Sequence, residues 1–251
     1  MSIQKTRAVV LRRQDLRETS LIVNFYTEGF GKIKGVLRGV RGPRAQSGGA
    51  AAEIFVLDEI VFYERKRSEY YTVSQCDLIE FFEPIRQSLE RLAYATYMIE
   101  MLDSLTPLSE KNEQIFGLLL NSLTLLKGES SPRRVARIFE IKLLDELGMM
   151  PALAACVSCA GAVDASARFS FRHGGLMCKN CMRDDRDARP ILAGTVKFIE
   201  HIRALPFEKV ARVKVEATVG KELEQVLRKF LDYHIERRLN SLAFIKEIEK
   251  A

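Results

Sequence analysis

Two periodicities divide the chain. From residue 8 to about residue 80, apolar and polar side chains alternate in short runs, as on strands that bury one face. Five runs stand out, at 8–12, 20–27, 32–41, 54–63 and 70–78, parted by the turn signals Glu28-Gly29, Gly42-Pro43 and Lys66-Arg67-Ser68. Five short strands laid flat would leave long unpaired edges, and closing them into a barrel removes those edges. The pattern therefore predicts a five-stranded barrel of the OB-fold type over residues 1–82. The small, polar segment 42–52 reads as a mobile loop.

After Pro84 the apolar positions fall three and four residues apart. Leu89, Leu92, Ala93, Ile99, Leu102 and Leu105 mark one amphipathic helix, and Ile115, Leu118, Leu119, Leu123 and Leu126 a second that ends at Gly128. A third begins with Ser131 as N-cap and Pro132 in the first turn and ends at Gly148, which suits a left-handed cap. Further helical patterns cover 196–205 and 221–242, with a strand-like stretch at 210–219 between them. The predicted class is α+β: a barrel, then a helical bundle domain over 83–251, interrupted by an insert at about 152–189.

That insert holds four of the five cysteines. Cys156 and Cys159 form one Cys-x-x-Cys pair, Cys178 and Cys181 a second, eighteen residues apart. Each pair can aim two sulfurs at a centre ~2.3 Å away, and two pairs close a tetrahedron with no vacant position. The expectation is one structural zinc ion. Iron fits a tetrathiolate site as well. Redox pairs fit less well, because no βαβ pattern surrounds either motif. Residues 169–177 read as a hairpin that returns the second pair to the first, and His173 as a surface turn residue beside it. Binding worth roughly 10–16 kcal/mol in isolated zinc fingers would outweigh any core that an insert of this size could build. Cys76, alone on a strand, reads as packed core.

Composition narrows the function classes. An odd cysteine count disfavours a disulfide framework, the first residues hold no apolar leader, and no stretch approaches the ~18 apolar residues of a membrane span. A soluble, cytoplasmic protein is expected. The net charge is +6, and its placement matters more than its size: residues 1–47 carry ten Lys and Arg against three acids. Within 31–44, Lys32, Lys34, Arg38, Arg41 and Arg44 occur with four glycines and no acid. Strand alternation puts Lys32, Lys34 and Arg38 on one face and Ile33 and Leu37 on the other, with Arg41 and Arg44 carrying the charge into the next loop. Gly35 and Gly39 read as open floor between the cations for a sugar-phosphate backbone. The alternative is a solvated strand whose lysines protect an edge.

Catalysis is the weaker reading. Zinc deaminases need a water on the metal and a His-x-Glu motif before Pro-Cys-x-x-Cys; here His234-Ile235-Glu236 follows the cysteines, and neither pair is preceded by proline. No Walker-type loop, Gly-x-Ser-x-Gly or acidic metal cluster occurs in the sequence.

With both features in hand, the chain resembles the bacterial recombination mediator family RecO over nearly its whole length. The resemblance lies in Glu18-Thr-Ser-Leu-Ile-Val-Asn-Phe-Tyr-Thr-Glu-Gly-Phe-Gly31, in the run from Lys34-Gly35 to Arg44, and in Tyr233-His-Ile-Glu-Arg-Arg-Leu-Asn-Ser241. The cysteine quartet sits where zinc-bearing members carry theirs, whereas Gly48-Gly-Ala-Ala-Ala52 departs from the family pattern. The resemblance implies a DNA repair and recombination mediator rather than an enzyme. It would bind single- and double-stranded DNA, anneal complementary strands, and load recombinase together with RecR. It would also dock on the acidic C-terminal tail of single-strand binding protein.

Overall fold

The structure, a computed structural model, describes residues 2–16, 18–40, 52–63, 69–128, 130–210, 213–235 and 239–249. The period-two region forms strands β1 (Ile3–Leu16), β2 (Ser20–Thr27), β3 (Gly31–Leu37), β4 (Leu57–Tyr63) and β5 (Tyr70–Glu80). They close a barrel in the order β1-β2-β3-β5-β4, with β4 returning to pair with β1. Every pairing is antiparallel except β3 with β5. This is the OB-fold barrel that the alternation predicts. Val10, Val23, Phe25, Ile33, Ile60 and Phe62 fill its interior. The long first strand serves both neighbours by bending at a bulge between Val10 and Arg12. The expected segment 42–52 falls outside the described residues except for Ala52.

One reading of the basic strand is corrected. Gly35 lies on the inward face, where an added Cβ would stand 2.6 Å from Val73 and 2.9 Å from the Phe25 ring. Its missing side chain makes room in the core rather than on the outer surface. The reason is register: Gly35 shares the phase of Ile33 and Leu37, opposite to the cations.

Four helices follow: α1 (Glu83–Arg86), α2 (Leu89–Leu105), α3 (Glu113–Lys127) and α4 (Pro132–Glu146). Side-chain caps start two of them, Ser88 accepting from the Arg91 amide and Asn112 from that of Ile115. At the end of α4, Gly148 takes φ +66°, its N–H donating to the Asp145 carbonyl while that of Met149 reaches Leu144. Those two bonds are a Schellman cap, as the glycine predicts. Short strands β6 (Arg168–Ser170) and β7 (Gly175–Met177) form the expected hairpin, and β8 (Arg189–Pro190) pairs on β6. Helices α5 (Ala193–Ala204), α6 (Phe207–Val210), α7 (Ala217–His234) and α8 (Ser241–Ile248) complete the chain.

Two expectations at the C-terminal end fail. The stretch 210–219 is not a strand: Val210 ends α6, Ala217 begins α7, and the described residues between them pair with no strand. A single β-branched run with no partner cannot satisfy its backbone as a strand, and the helical spacing of Leu223, Val226, Leu227 and Phe230 takes over. The predicted helix over 221–242 is two helices, because Ile235 turns extended after α7.

Two compact units result. The first holds Met1–Ala136 and Leu239–Ala251, the second Arg137–Arg238. In the first, Tyr97, Met98 and Met101 of α2 are fully buried, and α2 packs on α3 and α8. Glu100 of α2 clamps the start of α8, its two oxygens accepting from the amides of Asn240 and Ser241 at 2.9 Å each and from the Ser241 hydroxyl at 2.5 Å. A carboxylate at a helix N-terminus also meets the positive end of the dipole. In the second unit, Glu222 of α7 does the same for α5, accepting from the Leu192 amide and the Thr195 hydroxyl.

Candidate functional site

Local backbone geometry builds the cysteine site. In the first pair the Ala160 N–H donates to the Cys156 carbonyl and the Cys156 N–H to that of Gly161, with Ala160 held at φ +57°. The second pair repeats the turn, as Cys181 and Met182 N–H groups both donate to the Cys178 carbonyl. The hairpin then carries the second turn back to the first. Ser170 ties it down, donating to Asp185 Oδ2 at 2.5 Å and lying 3.0 Å from His173 Nδ1. That hydroxyl, with the Asp187 amide, holds the Asp185 carboxyl below the usual carboxylate range. His173 thus belongs to a turn network with Ser170 and Asp185 and is not among the clustered metal-ligand candidates.

Cys156, Cys159, Cys178 and Cys181 place their four Sγ atoms within 4.8 Å of one another. The edge from Cys159 to Cys178 measures 3.9 Å. A tetrahedron with ~2.3 Å metal–sulfur arms has edges of about 3.8 Å, so the donor set fits a tetrahedral ion. Electrostatics agree. Backbone amides, that of Cys178 first and then that of Cys159, pull the Cys156 thiol down to about 6. The Ser158 hydroxyl favours a Cys181 thiolate, but the adjacent sulfurs of Cys159 and Cys178 outweigh it and push that thiol up to about 12. Four thiolates this close need a cation between them. Four sulfurs leave no open coordination position, so such an ion would hold the insert together rather than activate water.

The basic strand divides. Lys32 is only 8% exposed, its ammonium 2.5 Å from the Asp103 carbonyl and 3.4 Å from the Asp103 carboxylate. Backbone explains the covering. β5 pairs with β3 only from Lys34 onward, and the link after α2 fills the seam below it, where Ser109 N–H donates to the Lys32 carbonyl at 2.8 Å. Gly31, at φ +64°, lets the Glu110 carbonyl come closer than any Cβ would allow. Asp103 is the partner that sequence spacing missed, since no local pattern links positions so far apart.

Lys34 keeps the outward orientation and is half-buried, 3.2 Å from Glu69 Oε2 and 5.6 Å from the centre of the Tyr70 ring. Arg38 is exposed just past the end of β3. Arg41 and Arg44 lie outside the described residues. Cys76 is core, as expected, its thiol 3.2 Å from the buried Asp58 carboxylate, whose other contact is the Ala52 amide at 2.9 Å. Burial chiefly pushes Asp58 up to about 6, and with Asp58 beside it drives the Cys76 thiol well above its ordinary value.

Comparison with known proteins matches this architecture. The family profile described as Recombination protein O N terminal matches residues 1–82, and that described as Recombination protein O C terminal matches residues 86–243. The chain belongs to the RecO family. It is 35% identical to the DNA repair protein RecO of Pelotomaculum thermopropionicum over all 251 residues, covering 96% of that protein. It is 30% identical to the RecO of Acetivibrio thermocellus over the whole chain and 99% of the relative. With the RecO of Moorella thermoacetica it shares 32% identity over 97% of the chain and 91% of the relative. Membership assigns the chain to DNA repair and recombination. No helix among the described residues is long and apolar enough to cross a membrane.

Proposed function

We propose that this chain is a DNA repair and recombination mediator that binds single- and double-stranded DNA and anneals complementary strands. It would help load recombinase, together with RecR, on strands coated with single-strand binding protein, docking on that protein's acidic C-terminal tail. The barrel, residues 1–82, is the nucleic-acid domain. Residues 83–251 form the helical domain, and its insert at 152–189 is held by zinc on Cys156, Cys159, Cys178 and Cys181. The mediator acts in the cytoplasm, on nucleoid DNA, and needs no covalent chemistry of its own.

The observation that carries the reading is the pair of cations at the end of β3, Lys34 on the strand and the exposed Arg38 just past it. The sequence continues them with Arg41 and Arg44. Glu69 does not disqualify Lys34, because an exposed ion pair contributes little and phosphate can replace the carboxylate. Neutralised phosphates release counterions, so affinity falls linearly with salt on a log–log scale, by about 0.7 in slope per contact for single strands.

The test mixes labelled complementary oligonucleotides with the protein in the absence of ATP and measures binding over a salt series. Duplex formation should accelerate, and Lys34→Ala with Arg38→Ala should flatten the salt slope by about 1.4. Altered strands would favour an enzyme, and unchanged annealing with no binding would favour a protein–protein adaptor.

A further inference from the structure

Cross-strand register places three outward residues of the barrel in one row with Lys34. Arg12 of β1 is opposite Asn24 of β2, Asn24 opposite Lys34 of β3, and Lys34 opposite Tyr70 of β5. Adjacent strands lie ~4.8 Å apart, so the row runs about 14 Å across the barrel, perpendicular to the strands. Its members differ in kind. Arg12 is exposed, and Tyr70 leaves 42% of its surface to solvent with the Lys34 ammonium over its ring. The next outward row holds the cross-strand pair Ile22 and Val36, both only half-buried. Beyond it stands Arg38.

A solvated, edge-protecting strand has no use for this composition. Half-exposed β-branched side chains make a floor that water wets poorly, bounded by cations on two sides and by an aromatic ring at one end. Duplex DNA offers phosphates to the cations but keeps its bases stacked inside, leaving floor and ring unused. A single strand has both a polyanionic backbone and free base faces. On the opposite side of this area, the row through Tyr26 and Lys32 is buried beside the segment that follows α2, and Asn24 of the Arg12 row donates to Asp103 Oδ1 at 3.3 Å, which limits the open face to the Ile22 row and the two ends of the Arg12 row.

We propose that Tyr70 is a base-stacking residue and that, with the Ile22–Val36 floor, it makes this barrel bind single strands more tightly than duplex, while Arg12 and Lys34 hold the flanking phosphates. The proposal rests on the DNA-binding reading above and adds the side chains that recognise bases. Stacking is not a counterion effect, so it has a signature of its own: it changes affinity without changing the salt slope.

Fluorescence anisotropy with a labelled single-stranded oligothymidylate, the same oligomer with internal abasic sites, and a duplex separates the contributions. Tyr70→Ala should weaken oligothymidylate binding about tenfold or more, leave its salt slope and the duplex affinity in place, and be rescued by Tyr70→Phe. The wild-type protein should lose a similar factor on the abasic oligomer, a measurement that needs no variant to fold. Equal affinity of the wild-type protein for abasic and intact strands, or an equal loss by Tyr70→Ala on single strands and duplex, would overturn the stacking role. If instead Lys34→Ala leaves the slope unchanged, the charge reading itself has failed, whatever Tyr70 does.

Discussion

Lys32 and Lys34 are two residues apart on one face of one strand, yet one ammonium is enclosed and the other is available. Lys32 donates into the C-terminal end of α2 and holds the seam between barrel and helix. Lys32→Met keeps the aliphatic stem and removes the charge. It should cost about 1–3 kcal/mol of stability, the penalty of an abandoned buried partner, and leave the salt slope of DNA binding unchanged. Chemical denaturation and the salt series read the two effects separately, and a flattened slope would return Lys32 to the binding surface. Asp58 is the other residue whose burial has a measurable consequence. Its carboxyl is fully buried, one oxygen has no partner among the described residues, and its pKa is raised to about 6 against an ordinary carboxylate value near 4. A raised carboxyl favours the folded state when protonated. Its contribution is therefore fully present below about pH 4 and is lost as pH rises through 6, with a magnitude on the order of 3 kcal/mol. Thermal melts of the wild-type protein and Asp58→Asn at pH 5 and 7.5 test this. The wild type should lose ground to the variant at the higher pH, and parallel behaviour would refute it.

Among the elements, the cysteine insert depends on something other than its own core. Its strands are three and two residues long, and its largest buried rings, Phe169 and Phe171, pack together and against Phe230 and Tyr233 of α7. Removing metal with a strong chelator should melt the segment from Cys156 to Cys181 while the barrel stays folded. Hydrogen exchange should show protection lost in the insert and retained in β1 to β5, and metal analysis should return one zinc ion per chain. A fully protected, metal-free insert would end the structural-zinc reading. The same elements show how far pattern goes. Apolar periods located the helices up to Gly148 because that signal is local, whereas the side-chain caps Ser88 and Asn112 were found only in the structure. The stretch 210–219 misled because β-branched alternation reports a strand's surface and says nothing about the partner it needs.

At the scale of the molecule, charge and unit division tell different stories. The positive excess lies in the first 47 residues, which belong to the first compact unit, as do the open cations of β3. The cysteine site is in the second. On the function proposed above, gripping polyanion and stabilising an insert would be separate tasks for separate units, and metal removal should leave the salt-dependent part of binding to the barrel. The C-terminal segment returns to the first unit, where Glu100 receives α8, so the second unit interrupts the sequence of the first.

By itself, the amino-acid order determined the barrel's five strands, the principal helices up to residue 148 and the four-cysteine donor set. Those properties live in alternation, in caps and in the spacing of like residues, all of which are local. Only the tertiary structure decided that Lys32 is buried, that Gly35 faces the core, that Asp58 shares its pocket with Cys76, and that Arg12, Asn24, Lys34 and Tyr70 form one row. Register and packing bring together residues dozens of positions apart, and no local preference encodes such a meeting.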